Sequence, residues 1–460
     1  MFILHGDFYR ISTKSDGTFA VTKKFGMTRF VTLILGVLCF WTVSGQSMRG
    51  TLEDYLDSAR RNSPLIKEYA GQKEIAASER QRLKAFYMHS KAEVNGDLLF
   101  VPIVSLDCGG ASFKWNAHDA VDYYGYDLGE SSGYLHGGVT WTKPLLGGGL
   151  YKVAEEQADL DGERASNEIR LEEHSLERLV TEHYLLCLLD KARIAFADSV
   201  GRVLDRQVET VGRLVSNGLA SRSDLRLLEV EKEANNDARV SALQSYQSHF
   251  VDLNLVCGVE VGEPKRTEQL LPDVDVQMTL GQSGAQSGFM EKYRLDSLNV
   301  EVGLRSFNTQ YKPRLDLFMN GGLQTAGTPD WYRHFGWSAG LTFRWTFSDG
   351  GQKRQMERQA QIKRNTVSTY RDNFDYQRRM RLSQCQSELA RNNERKQILE
   401  NQLNEYDEIL SEYARKLAVG QVSVLDYLMV LRNKISVERD RLLLDTNRKL
   451  IITAYNYWNW

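Results

Sequence analysis

The sequence is short of proline, with 7 in 460 residues, and this scarcity suits long helices because proline breaks a helix interior. Its mean hydropathy of −0.43 is too polar for a bundle of transmembrane helices. No C-x-x-C spacing occurs, and Cys187 and Cys385 fall in helical patterns, where a small buried thiol is expected. The histidines are scattered and no catalytic constellation is present. The sequence therefore predicts a protein that is not an enzyme and has no cofactor or metal site.

The sequence also lacks an excess of either positive or negative charge. The chain has 58 basic and 60 acidic residues, and its formal net charge is −2. Because binding to a nucleic acid requires a basic surface, this balance predicts that no nucleic acid is a partner.

One apolar run stands out, from Phe30 to Val43, and basic residues precede it. At about 14 residues it is too short to span a bilayer comfortably and fits the apolar region of a signal peptide. We assign residues 1–45 to that peptide, with an N-terminal membrane anchor as the alternative. If translation starts at Met27, residues 1–26 are an upstream artefact.

The chain repeats itself at a constant offset of 202 residues. A constant offset means that neither copy has a net insertion relative to the other. Long packed helices require this, because one extra residue rotates an apolar face by ~100°. The sequence therefore predicts two equivalent structural units that share one core. The recurring pairs are Gly138 to Trp141 with Gly340 to Phe343, Gly148-Gly149 with Gly350-Gly351, Gln157-Ala158 with Gln359-Ala360, and Gly218, Ser221 and Asp224 with Gly420, Ser423 and Asp426.

The two repeats have the same predicted order of elements, a helix, two strands and a long helical hairpin. We expect the first repeat at 46–257 and the second at 289–460, joined by an equatorial connector at 258–288. In the first repeat the strands are predicted at about 92–106 and 133–146, around an exposed loop at 107–132, with the hairpin tip near 218. In the second repeat they are predicted at about 313–324 and 335–348, with the tip near 420.

The long helices carry a coiled-coil signature. Apolar residues before the second tip alternate steps of four and three, which predicts a coiled-coil seam. A helix of about 65 residues is ~100 Å long, so two such hairpins exceed any ordinary globular domain. The residues of the seam are Leu399, Leu403, Tyr406, Leu410, Tyr413 and Leu417.

The last predicted strand has a membrane signature. Between Phe335 and Phe347 the odd positions are apolar and mostly aromatic, whereas the even positions are small or polar. A transmembrane β-strand needs ~9–11 residues with one lipid-facing and one lumen-facing side. A half-buried strand of a soluble sheet is the alternative, because it alternates too. The residues that we predict to face lipid are Trp337, Leu341, Phe343 and Trp345.

Four strands cannot close a barrel alone, because the smallest single-chain barrels have about eight. Open strand edges are not tolerated in lipid. If these strands lie in a membrane, the chain must therefore oligomerise, and three copies would give twelve strands.

The order and duplication of these motifs resemble the TolC family of outer-membrane efflux channels. The resemblance covers about residues 50–457. It rests on GGVTWTKPLLGGG with SAGLTFRWTFSDGG, on SNGLASRSDLRLLEV with AVGQVSVLDYLMV, and on the opening TLEDYLDSARRNSPLI. It implies an α+β membrane protein whose antiparallel α-helical coiled-coil barrel joins a 12-stranded transmembrane β-barrel. By resemblance, a homotrimer is set in the lipid of the outer membrane of a diderm bacterium and extends into the periplasm.

The resemblance also implies a passive conduit of a tripartite efflux or export system, gated at the periplasmic helix tips. A periplasmic adaptor protein and an inner-membrane pump of the RND or ABC type would be its partners. Gly218, Ser221, Gly420 and Ser423 would belong to the tips that meet the adaptor.

An acidic residue just inside the second tip narrows the closed aperture in that family. Asp426 matches it, and Asp224 is its counterpart in the first repeat. The alternative is that both aspartates only cap their helices. Met429 stands where some family members have a second carboxylate, which puts a two-layer acidic gate in doubt.

Two other functions remain open. The chain could be an outer-membrane channel for type I protein secretion, which differs only in cargo and partners. It could also be a soluble periplasmic coiled-coil scaffold or adaptor, which would have no barrel strands. The aromatic C-terminus, ending in Trp458 and Trp460, fits either helix packing or a membrane-proximal anchor, and packing is favoured.

Overall fold

A computed structural model describes residues 50–100, 103–107, 110–114, 133–146, 148–260, 271–279, 287–325 and 335–460. The predicted signal peptide at 1–45 lies outside these residues. Gly50–Trp460 forms one compact unit.

Long helices dominate the described residues. Two of them, of 69 and 67 residues, are each followed by a helix about half as long, which gives two antiparallel hairpins. The helices are α1 (Leu52–Asn62), α2 (Pro64–Met88), α3 (Gly148–Ser216), α4 (Arg222–Cys257), α5 (Gly288–Asn308), α6 (Gln352–Ala418) and α7 (Val424–Trp458).

The strands form one large sheet and one small hairpin. The strands are β1 (Lys91–Phe100), β2 (Ile103–Asp107), β3 (Gly110–Lys114), β4 (Gly133–Pro144), β5 (Arg314–Thr325) and β6 (Phe335–Arg344). The large sheet has the order β1-β4-β5-β6, and all of its neighbours are antiparallel. Its edges, β1 and β6, have no further strand partner among the described residues.

Two predicted boundaries were wrong. The strand predicted at 92–106 ends at Phe100, and 103–107 pairs instead with 110–114 in a separate hairpin. In the sequence Pro102 stands between the two segments, and a proline disfavours a continuous strand because it has no N–H to donate to a strand ladder. The predicted loop 107–132 therefore contains β3, and its residues 115–132 lie outside the described ones. The strand predicted at 335–348 ends at Arg344.

The helices form one layer of four columns. Asn62, just before α2, donates two hydrogen bonds to the carbonyls of Cys257 and Gly258 at the end of α4, at 2.9 and 3.0 Å. In this way α2 continues the column of α4, and α5 likewise begins where α7 ends, with Gly288 against the ring of Trp460. Contacts between helices then give the order α2/α4, α3, α5/α7 and α6.

Three apolar cores hold the columns of the described residues together, and the smallest joins α3 and α5. One lies at mid-height, by which we mean the level where α4 ends and α2 begins. It joins α1, α3 and α4 through buried residues such as Tyr55, Tyr184 and Leu253. Another lies near the hairpin tips and joins α3, α4, α6 and α7. Cys187, Cys257 and Cys385 are buried free thiols, which confirms the prediction for the first and the last of them.

The predicted connector crosses the helices at mid-height. Within it, residues 271–279 have neither helix nor strand structure, and its last residue, Gly288, already begins α5. Asn456 of α7 forms three hydrogen bonds with the connector. Its Oδ1 accepts from the Thr279 N–H at 2.9 Å and from the Thr279 hydroxyl at 3.1 Å, and its Nδ2 donates to the Gln277 carbonyl at 2.8 Å. Lys449 forms an ion pair with Asp273 at 2.8 Å. The connector is thus fastened to the second hairpin by side chains.

Candidate functional site

The register of the sheet brings the apolar positions of all four strands onto one face. Directly paired residues share a face, and the pairs Val94–Val139, Trp141–Met319 and Leu317–Leu341 cross the whole sheet. We call this the apolar face. It consists of Ala92, Val94, Gly96, Leu98, Gly137, Val139, Trp141, Lys143, Leu315, Leu317, Met319, Gly321, Leu323, Phe335, Trp337, Ala339, Leu341 and Phe343.

The opposite side, the polar face, is hydrophilic. It includes Glu93, Asn95, Thr140, Thr142, Asp316, Asn320, Ser338 and Thr342. Phe318 is an exception, and its ring covers Gly340 so closely that a Cβ there would come within 2.7 Å of it. The apolar face therefore suits an apolar environment, whereas the polar face suits water.

The apolar face is uncovered in a single chain. Val94 is 86% exposed and Trp337 is 75% exposed, and Leu341 and Phe343 are exposed as well. Three of the residues predicted to face lipid lie on this face, whereas Trp345 lies just past β6, where its indole N–H donates to the Tyr311 carbonyl at 3.2 Å. An exposed apolar surface of this extent is typical of a site that contacts protein or lipid.

A row of glycines crosses the polar face of the sheet. Gly138, Gly322 and Gly336 are register partners on neighbouring strands, on the polar face. A Cβ added to Gly322 would lie 2.4 Å from the Gly137 carbonyl oxygen and 2.5 Å from the Cα of Gly138. No side chain fits there, because the two backbones converge on this side. The backbones of β4 and β5 therefore approach each other closely on the polar face.

The two hairpin tips have the same backbone geometry. Gly218 and Gly420 both have a φ of +74°, which L side chains rarely adopt. At the first tip, the Leu219 N–H donates to the Leu214 carbonyl at 2.8 Å, and at the second the Gln421 N–H donates to the Lys416 carbonyl at 2.9 Å. These bonds are those of a helix ending in a left-handed glycine.

A serine and an aspartate then start the returning helix at each tip. Ser221 precedes α4, and its N–H donates to the carboxylate of Asp224 at 3.1 Å. Ser423 precedes α7, where its Oγ accepts from the Asp426 N–H at 3.1 Å and donates to the Asp426 carboxylate at 2.7 Å. Both aspartates are thus capping residues, and Asp426 is the more exposed of the two.

The tips of the two hairpins are packed together. Val211 of α3 and Leu228 of α4 share a buried cluster with Leu417 of α6 and Tyr427 of α7. Burial raises the pKa of Tyr427, so its hydroxyl stays protonated across the physiological range. The sequence analysis placed Leu410, Tyr413 and Leu417 of this cluster in the coiled-coil seam, but it did not predict that the two hairpins meet there.

The tips also expose apolar side chains that the sequence analysis did not single out. Leu219 is 66% exposed, Val419 65% and Leu425 62%. Met429, which the sequence analysis considered only for its place beside the gate, is exposed as well. They surround the two glycine turns, and a sequence pattern alone does not separate them from the buried apolar residues nearby. Together with Gly218, Ser221, Gly420 and Ser423, they form what we call the tip surface.

The outer columns of the helix layer carry a second apolar stripe. On α6, Ile398 is half exposed and lies nine residues from the buried Leu389, which places the two on opposite sides of the helix. On α4, Val251 and the buried Ala242 are related in the same way. The exposed stripe residues are Ile362, Tyr376, Met380, Ile398 and Ile409 on α6, Val230, Val240, Val251 and Leu255 on α4, and Ile75 and Phe86 on α2.

The C-terminal aromatics pack at mid-height, which confirms the favoured prediction. The ring of His174 is stacked between those of Tyr457 and Trp460, with centroids 5.0 and 4.3 Å away. The guanidinium of Arg178 lies 4.3 Å from the centroid of Tyr457. The end of α7 is thereby fixed against α3 and α5.

Solved structures of outer-membrane proteins have the same architecture. VceC from Vibrio cholerae is similar with a TM-score of 0.68 at 12% identity, over 89% of this chain and 95% of that one. The open state of the Neisseria gonorrhoeae MtrE channel has a TM-score of 0.66 at 13% identity, over 89% and 88%. The Campylobacter jejuni CmeC channel has a TM-score of 0.66 at 11% identity, over 89% and 85%.

The chain has the TolC-type channel fold. Its sequence matches no family model and no curated protein, so the likeness is one of structure. The TolC-type fold accounts for the four-stranded sheet and the long antiparallel helices, and it confirms the predicted fold of the protomer. Of the helices in the described ranges, none is long and apolar enough to cross a bilayer.

Proposed function

We propose that this chain is one protomer of a homotrimeric exit channel in the outer membrane, within a tripartite efflux or export system. The observation that carries the proposal is the sheet, which has an uncovered apolar face on one side and a hydrophilic polar face on the other. A surface with lipid on one side and water on the other is the wall of a pore. OprN, CmeC and MtrE, which have this fold, are described as outer-membrane channels, and this supports the same location.

The free edges of the sheet require further strands. The order β1-β4-β5-β6 is an even, antiparallel succession, so β1 of a second copy can pair antiparallel with β6 of the first. An open edge in lipid would leave backbone groups without hydrogen-bond partners, at several kcal/mol for each group. Three copies give a closed barrel of twelve strands.

The apolar stripes support the same assembly in the helical part. The stripe on α6 faces away from its own chain at one end of the layer, and those on α2 and α4 face away at the other end. In a ring of copies the first stripe meets the other two across each subunit boundary. Burying both contributes roughly 25 cal/mol per Å² of apolar area, so ring closure would stabilise the helices and the sheet together.

The tip surface is the proposed contact with a periplasmic adaptor, and through it with an inner-membrane pump of the RND or ABC type. Exposed apolar side chains around two tight turns are suited to bind a partner protein rather than water. The proposed gate lies at the same end, where three copies of Asp426 and of Asp224 would approach the channel axis. Such carboxylates attract cations and repel anions.

The channel proposal is tested by the conductance of the purified protein in planar bilayers. We expect stepwise insertions of defined, ohmic conductance. A protein that stays in the aqueous phase and gives no conductance steps would contradict the proposal and favour the soluble scaffold. The type of pump encoded beside the gene would show whether the channel serves type I secretion instead of efflux.

The gate needs its own experiment, because Asp426 also caps α7. The Asp426→Arg variant should shift the reversal potential of the closed channel towards anions. The matched variant Ser423→Ala removes the neighbouring cap without changing charge, at about 1 kcal/mol of stability, and should leave selectivity unchanged. Unaltered conductance and selectivity in Asp426→Arg would show that the residue is only a helix cap.

A further inference from the structure

Two arginines face each other at the end of the sheet that adjoins the helices. Arg314 begins β5 and Arg344 ends β6, and they are direct register partners. Asp316 and Thr342 form the next pair on the same face, so both arginines belong to the polar face. Like charges directly opposite on neighbouring strands destabilise a sheet. By itself this pair therefore destabilises the sheet, and its presence calls for a functional explanation.

The two guanidinium groups are not neutralised by their surroundings. Among the described residues, neither forms an ion pair or a hydrogen bond. Asp316 is the nearest acid on the same face of β5, but it makes no ion pair with either arginine. The carboxylate of Asp349, at the start of α6, already accepts hydrogen bonds from Tyr311 and from the N–H groups of Gly351 and Lys353.

Other charges on the polar face do not cancel the pair. Lys91 and Glu93 lie on β1 and form an ion pair with each other. The negative charge of Asp316 offsets one of the two arginines, so the sum for each chain at this end of the face is one positive charge. Lys143 is at a similar height, but its partner Leu317 places it on the apolar face.

We propose that Arg314 and Arg344 form a cationic ring at the mouth where the barrel meets the helical tunnel, and that this ring selects solutes bearing carboxylate or phosphate groups. The proposal rests on the trimeric channel argued above, in which the polar face lines the lumen. Three copies contribute six guanidinium groups to one level of the pore. An arginine keeps its charge at any physiological pH and binds carboxylate or phosphate in a bidentate fashion.

The ring would work in series with the tips. The aspartates at the tips favour cations at one constriction, whereas the arginines favour anions at the next. A positively charged level with low-dielectric walls concentrates anions locally. A solute with both an amine and an acidic group would find a favourable partner at each level.

The test is the reversal potential of reconstituted channels in a potassium chloride gradient. Replacing both arginines, as Arg314→Gln with Arg344→Gln, should lower the chloride-to-potassium permeability ratio about threefold, given six charges near a pore screened over ~10 Å at 0.1 M salt. Asp316→Asn should shift the ratio the other way. Lys143→Gln is the matched control, since it removes one positive charge at a similar height from the opposite face, and it should have no effect.

The outcomes separate this proposal from the channel itself. Wild-type protein without conductance would end the channel proposal, whereas conducting double variants with an unchanged ratio would overturn the ring alone. An equal shift in Lys143→Gln would also overturn it, because the effect would not depend on the face. If the double glutamine variant fails to assemble, Arg344→Gln alone should move the ratio about half as far on a logarithmic scale. Replacement of both arginines by lysine should preserve the ratio.

Discussion

Arg432 of the second hairpin forms an ion pair with Glu231 of the first, with nitrogen and oxygen 2.6 Å apart. The side chain of Glu231 is only 12% exposed, so solvent screens this pair less than a surface pair. It lies beside the cluster that packs α4 against α7 near the tips. The pair is therefore placed to hold the two hairpins of one chain together at the end where we propose the gate.

Glu231→Gln should loosen this contact. Breaking a partly buried pair costs more than the 0.2–1 kcal/mol of an exposed pair, and we expect about 1–2 kcal/mol. In bilayers, the closed channel should show more frequent openings. Lys434→Gln is the control, because Lys434 pairs with Asp407 inside the second hairpin. If both variants open equally often, the contact between the hairpins has no special role.

Gly288→Ala should displace the C-terminus. A Cβ at Gly288 would lie 2.4 Å from the ring of Trp460, and such overpacking costs about 1–3 kcal/mol. The thermal unfolding midpoint should fall and tryptophan fluorescence should shift to the red. Gly303→Ala, on the same helix with no atom near the added Cβ, should instead stabilise by about 0.5–1 kcal/mol. A fall in both midpoints would mean that the Trp460 contact is not responsible.

Leu341→Arg should impair insertion of the barrel. Leu341 lies on the apolar face, where a charge near the bilayer midplane costs about 2–4 kcal/mol. Thr342→Arg adds the same side chain one residue further, on the polar face, and should be tolerated. The measurement is the yield of heat-resistant oligomer in outer-membrane fractions. Equal losses in the two variants would contradict the assignment of the faces.

The buried thiols should be unreactive in the folded protein. Burial raises the pKa of Cys187 and of Cys257 to about 12, so only about one thiol in ten thousand is ionised at pH 8. Maleimide labelling of a background that carries Cys108→Ser and Cys385→Ser should therefore be slow in the folded chain and fast in denaturant. Its rate should still be rising above pH 9. Rapid labelling of either cysteine at pH 8 in the folded protein would show that the mid-height core opens.

The strands and helices could be predicted because their signals are local. The alternation from Phe335 onward identifies β6, and the left-handed glycines at 218 and 420 mark both tips. Prediction failed near Pro102, where β-forming residues continue on both sides and only the pairing of 103–107 with 110–114 decides the structure. Boundaries that depend on a strand's partner are not encoded in one segment.

The candidate site could be predicted only in part, for the same reason. The capping serines and aspartates follow from a four-residue pattern at each helix start. Contacts between distant segments do not, and Arg432 with Glu231 is one example, since they are 201 residues apart. Another is Arg314 with Arg344, which face each other only because β5 and β6 pair in one particular register.

The most direct test of the whole account is the native mass of the protein extracted in detergent from an isolated outer-membrane fraction. We predict a trimer, with three times the protomer mass once bound detergent is subtracted, and the loss of this species in Leu341→Arg. A monomer in the soluble periplasmic fraction would contradict the account, because four strands with two free edges cannot close a barrel alone.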